Sequence, residues 1–171
     1  MNSLGKVVNI FFIIILLFLV PLHDMARRAD TMSQVYVSNE TTEFVNNIKN
    51  KGYITVEMYR RYIETIDKTN NLYDVQIVHS HKVVEPFVNE DETIEEGRYV
   101  TRFFDTYQDE ILEVFDKGEI YHFSQGDYIN VTIKNRNQTL SNQIFSFLSA
   151  RNVPTVQIFV TYGGMIRDEA R

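Results

Sequence analysis

VVNIFFIIILLFLVPL, residues Val7 to Leu22, carries no charge, and Asn9 is its only polar side chain. At ~1.5 Å per residue the run spans ~24 Å, slightly less than the ~30 Å hydrocarbon core of a bilayer. Ser3 to Gly5 before it, and Met25 and Ala26 after it, extend the tolerable length, with Lys6 and His23 placed to reach the two interfaces. A core helix of a soluble protein does not need an uninterrupted run of aliphatic residues and Phe from Ile10 to Leu19, because a helix apolar on every face suits lipid. A cleaved signal peptide needs a small-x-small site just past the run, and Leu22-His23-Asp24-Met25-Ala26-Arg27 offers none. The sequence therefore predicts a transmembrane anchor over residues 1–23.

Beyond the anchor, no Gly or Pro interrupts His23 to Lys51. Met25, Ala29, Met32 and Tyr36 recur at helical spacing, and Val37, Thr41, Phe44 and Ile48 repeat it on a shifted stripe. This predicts an amphipathic connecting helix over 24–51, continuous with the anchor and ending at Gly52 after Lys49 and Lys51. From Leu4 to Lys51 that is ~70 Å of helix. Pro21 sits inside it and is expected to kink it.

Residues 52–171 alternate between helix and strand signals and predict an α+β head domain: a small antiparallel sheet with helices packed on one face. Thr55 is placed to cap a short helix carrying Tyr59, Tyr62, Ile63 and Ile66. Tyr73 to Val84 reads as a strand with Val75, Ile77 and His79 on one side, and Pro86 to Gly97 as an acidic loop. Phe104, Tyr107, Ile111, Val114 and Phe115 suggest a helix closed by Lys117-Gly118. Glu119 to Lys134 reads as a strand or hairpin broken at Gly126-Asp127, with Ile129, Val131 and Ile133 alternating. Ser141 to Ala150 reads as a short helix, and Thr155 to Tyr162 as the last strand with Val156, Ile158 and Val160 inward. Gly163-Gly164 reads as its termination.

The 171 residues have a formal net charge of −6 and no clustered Lys or Arg, which argues against a nucleic-acid partner. The absence of cysteine excludes thiolate zinc sites, disulfides and cysteine nucleophiles. No nucleophile-elbow, zinc-protease, phosphate-loop or dinucleotide pattern is present. The expectation is a protein that is not an enzyme, with no cofactor and no small-molecule substrate. The closest approach to a metal site is His79 and His81, two apart on one strand, which could join His122 and a carboxylate; the alternative is a pair of surface-facing strand histidines. The acidic stretch Glu85, Glu90, Asp91, Glu92, Glu95 and Glu96 lacks the spacing and central glycine of a calcium loop and reads as solvated.

Arg28-Ala-Asp-Thr-Met-Ser, Thr42-Glu-Phe-Val-Asn-Asn, Gly52-Tyr-Ile-Thr and Leu72-Tyr-Asp-Val, with the apolar run before them, cover about Leu4 to Val75. In that span the chain resembles the pilin-like ladle of type IV pilins, and within them the TadE-like minor pseudopilins of Gram-positive tight-adherence pilus clusters. It departs from the type IV pattern in having Lys6 after Gly5, where a prepilin has Phe, and Ile10 where the mature helix carries Glu. The resemblance implies a membrane-anchored structural or assembly component of a cell-surface pilus or secretion apparatus, with the head outside the cell membrane. Its partners would be membrane lipid and other single-pass anchors or polytopic assembly proteins, the anchors packing through Val8, Phe12, Ile15 and Leu19. Charge alone leaves orientation nearly balanced, Lys6 and the α-amine standing against Arg27 and Arg28. A membrane-tethered binding or sensor module outside the cytoplasm is the alternative.

Overall fold

The structure is a computed structural model and describes residues 3–88, 94–149 and 158–167. It is an α+β fold with a long apolar helix leading into a small antiparallel sheet packed with helices. Helix α1, Ser3–Lys51, is one element of 49 residues. It ends where Gly52 takes φ 72° and donates its N–H to the Ile48 carbonyl at 2.8 Å, a conformation that costs glycine little. The remaining elements are β1 (Tyr53–Ile54), α2 (Val56–Asp67), β2 (Tyr73–Val88), β3 (Ile94–Tyr107), α3 (Gln108–Asp116), β4 (Tyr121–His122), β5 (Tyr128–Asn135), α4 (Leu140–Ser149) and β6 (Phe159–Met165). Thr55 caps α2, its hydroxyl accepting the Met58 N–H at 3.2 Å.

The main sheet has the order β3-β2-β5-β6, and each neighbouring pair is antiparallel. Its inner face is legible in the register: Val75, Ile133 and Val160 form one cross-strand row, Ile77, Val131 and Tyr162 the next, and His79, Ile129 and Gly164 the third. The C-terminal half of α1 lies against this face. Val37, Phe44, Val45 and Ile48 are buried in the same core as Ile77, Ile129, Val131 and Ile133. The ring of Tyr62 from α2 stacks on Phe44 with centroids 4.2 Å apart, and its hydroxyl meets that of Thr41 at 2.9 Å. The core of the 52–171 segment is thus completed by residues of the connecting helix.

Several expectations are corrected. The buried stripe of α1 does not shift: it runs Ala26, Asp30, Ser33, Val37, Thr41, Phe44 and Ile48, whereas Met25, Ala29 and Met32 face outward. Helical spacing fits both phases, and the packing surface selects one. Pro86 to Gly97 is not simply a loop. Strand pairing continues to Val88 on one side and resumes at Ile94 on the other. Glu90, Asp91 and Glu92 lie outside the described residues. Phe104 to Tyr107 belongs to β3, not to a helix. Helix α3 begins at Gln108, whose side chain accepts the Ile77 N–H at 3.2 Å just past the last β2–β3 pair, Val78 with Tyr107. The two halves of Glu119–Lys134 do not pair with one another: β4 joins β1, and β5 sits between β2 and β6. Gly163 and Gly164 lie within β6 instead of ending it, and a Cβ on Gly163 would stand 2.5 Å from the Ile129 carbonyl oxygen. Ile158 and Val160 are buried as expected, while Thr155 to Gln157 lie outside the described residues.

Two features extend from this body. β5 pairs with β2 only as far as Ser80, yet β2 and β3 remain paired out to Val88 and Ile94. The result is a two-stranded arm ~27 Å long at ~3.4 Å per residue. It exposes Val84, Tyr99, Phe103 and Phe104 and is tied across by Arg102 to Glu85 at 3.5 Å. At the opposite edge, α4 lies along α1. The Ser141 hydroxyl donates to the Asp30 carboxylate, and the Phe145 ring stacks on His23 at 5.8 Å.

Candidate functional site

The apolar run of α1 stands largely clear of the rest of the molecule. Val7, Ile10, Phe11, Ile13, Leu17, Phe18 and Val20 are all exposed, so apolar side chains point out on every side. Helix α1 is long and apolar enough to cross a membrane, and its most apolar stretch near the N-terminus has none of its residues buried within the molecule. Of the four residues expected on the packing seam, Val8 and Phe12 are exposed, whereas Ile15 and Leu19 are half-buried. Those two begin the stripe that continues through His23, Ala26 and Asp30 toward the head. The helix passes through Pro21 as one element. Proline has no N–H to give the Leu17 carbonyl, so that carbonyl lacks its helical partner.

The second candidate lies where the β2–β3 arm leaves the sheet. His79, on the inner face of β2, is 5% exposed, and Asp127, in the turn before β5, is 1% exposed. His79 Nε2 lies 2.8 Å from Asp127 Oδ2, and its Nδ1 lies 2.7 Å from the Tyr121 hydroxyl. His81 Nδ1 lies 3.0 Å from Asp127 Oδ1. The backbone N–H groups of Lys82 and Ser124 donate to the same carboxylate at 2.9 and 2.8 Å. A neutral His79 meets both of its contacts, donating from Nε2 to the carboxylate and accepting at Nδ1 from Tyr121. Burial alone would raise the pKa of Asp127. The donors from Lys82, His81, Ser124 and His79 together more than offset it and hold the carboxyl below the usual carboxylate range.

His79, His81 and Asp127 present ligand atoms within 4.8 Å of one another, a spacing that a metal ion could use. The backbone N–H groups of Lys82 and Ser124 donate to one carboxylate oxygen each, and with the matching tautomer of each histidine the two imidazoles donate as well. The arrangement is self-sufficient as a latch joining β2, the turn at 124–127 and β4. His122, the third histidine expected there, is not in the cluster; it is exposed on β4, its ring 6.1 Å from that of Tyr53. Sequence reasoning places Asp127 only in the Gly126-Asp127 break and gives Ser124 and Tyr121 no part in a site. The only local sign of Asp127 is its place after Gly126 at the entry to an alternating strand.

An open groove of about 270 Å³ lies between α1 and α2, lined among others by Glu40, Glu43, Phe44, Met58 and Arg61. Its charged rim mixes both signs, and none of the predicted site residues reaches it. No protein-family model, curated protein or solved structure matches the chain.

Proposed function

We propose that this protein is a single-pass membrane protein of the cell surface, and a structural or assembly component of a pseudopilin-like pilus or secretion apparatus, with its head outside the cytoplasm. The observation that carries the reading is α1 itself: one helix, bare and apolar at one end and built into the core of the head at the other. A tether for a free-standing binding domain needs no such continuity, because a flexible linker holds a domain near a membrane equally well. A helix shared by anchor and core fixes the head against the bilayer, which is what a part in an ordered assembly requires. The exposed Val8 and Phe12 supply a face for neighbouring anchors in the manner expected of the TadE-like proteins. The work of the protein in this reading is mechanical and needs no catalytic group.

The chain's lack of cysteine makes the test direct. Full-length Val8→Cys and Phe12→Cys proteins, oxidised in native membranes, should form disulfide-linked dimers or adducts with other anchors. Detergent extracts should contain the protein together with an assembly ATPase and a polytopic membrane protein. Recovery of the protein alone, with no cross-link at either position, favours the membrane-tethered binding or sensor module.

A further inference from the structure

Helix α4 is an amphipathic helix with an unusual outward face. Leu140 to Ser149, LSNQIFSFLS, holds no charged side chain. Phe147 is 79% exposed, and Leu140, Phe145 and Leu148 are exposed as well. An outward face of this kind on a water-facing helix would be expected to carry charge.

The position of α4 on α1 accounts for it. Ser141 meets Asp30 and, about one turn later, Phe145 meets His23, so α4 runs antiparallel to α1, toward the apolar run. At ~1.5 Å per residue, Ser149 lies ~6 Å beyond Phe145, about level with Leu19. The apolar face of α4 therefore begins where the apolar run of α1 ends and overlaps its last turn. That run is ~24 Å long against a ~30 Å hydrocarbon core, and α4 adds apolar surface at the end where the head sits.

We propose that α4 is an interfacial helix, seated at the headgroup–acyl boundary of the leaflet on the head's side, and that Phe145, Phe147 and Leu148 contact phospholipid. The inference rests on the membrane reading of α1 given above and adds that the head is partly embedded instead of standing clear of the surface. A helix without charge, with Leu140, Phe147 and Leu148 exposed beside the neutral Gln143 and with Ser141 and Asn142 buried, suits that boundary through apolar burial.

The chain has no tryptophan, so a single introduced Trp reports only its own surroundings. Three full-length variants are reconstituted in nanodiscs of phosphatidylcholine and phosphatidylglycerol, with and without brominated acyl chains: Phe147→Trp in α4, Phe12→Trp in the apolar run and Phe103→Trp in the β2–β3 arm. The expected result is that Trp emission at positions 147 and 12 is blue-shifted, resists iodide and loses most of its intensity in brominated lipid. Emission at position 103 should stay red-shifted and iodide-sensitive. Quenching by brominated lipid at position 12 but not at 147 overturns the interfacial helix and leaves the anchor standing. In that case, protection from iodide at 147 points to a second copy or another protein covering α4. The absence of lipid quenching at position 12 overturns the membrane reading and the interfacial helix with it.

Discussion

Asp127 shows how much one buried side chain can organise. Its carboxylate meets two backbone N–H groups and two imidazoles drawn from β2 and from its own turn. Asp127→Asn keeps the shape but turns an N–H₂ toward donors, and the loss of charge-assisted bonds should cost about 1.5–3 kcal/mol. The pH dependence has a definite sign. The folded-state pKa is depressed, so the stability it contributes is present above the unfolded value of ~3.9 and is lost as pH falls through the folded value. Thermal melts of the full-length protein in detergent should show the gap between wild type and Asp127→Asn at neutral pH and its closing in acid. A gap that persists unchanged to the lowest pH at which both proteins fold would contradict the latch. Part of this constellation was legible in sequence: period-2 alternation with Val75 and Ile77 allows His79 to face inward, while the reading of both histidines as surface-facing is corrected by the burial of His79. The rest was not, because Asp127 lies 48 residues from His79, and nothing local states which turn folds back on which strand.

Among the elements, α1 was the most legible and the β2–β3 arm the least. An uncharged run followed by helical spacing and closed by glycine leaves few alternatives for α1. The arm's strands are held by backbone pairing while Val84, Tyr99, Phe103 and Phe104 meet solvent, so Pro86 to Gly97 has the composition of a loop although its described residues are strand. Phe104 and Tyr107 misled for a different reason: strand residues that happen to precede α3 at three- and four-residue spacing extend its apparent face. The continuity of α1 is open to direct test at Met32, which is 71% exposed and contributes little packing. Met32→Pro should cost about 3 kcal/mol or more by removing a helical hydrogen bond and clashing with the carbonyl four residues before, while Met32→Ala should be close to neutral. Distances between spin labels in the head and lipid labels should broaden in the proline variant alone. Equal distributions in all three proteins would mean that the rod is not what sets the height of the head.

For the molecule as a whole, the anchor's extension and the head share one core. Val37, Phe44, Val45 and Ile48 are buried against strands and helices drawn from the rest of the chain. A chain beginning at Asp24 retains all of them, together with Ala26 and Asp30; a chain beginning at Thr41 leaves the site of Val37 empty. Burying a side chain of this size contributes about 1.5–3 kcal/mol, so the longer fragment should be more resistant to urea by at least that amount. Equal midpoints would show that the head closes its core without the upper helix. The same sharing of one core has a directional consequence. Val8 and Phe12, the arm and α4 are all carried on a single helix that the head grips along one stripe, and successive residues of that helix are set ~100° apart. In the membrane reading proposed above, whatever surface Val8 and Phe12 meet would therefore set a compass bearing for the arm. Inserting one alanine between Leu17 and Phe18 should swing that bearing by about a quarter-turn while barely changing the height of the head.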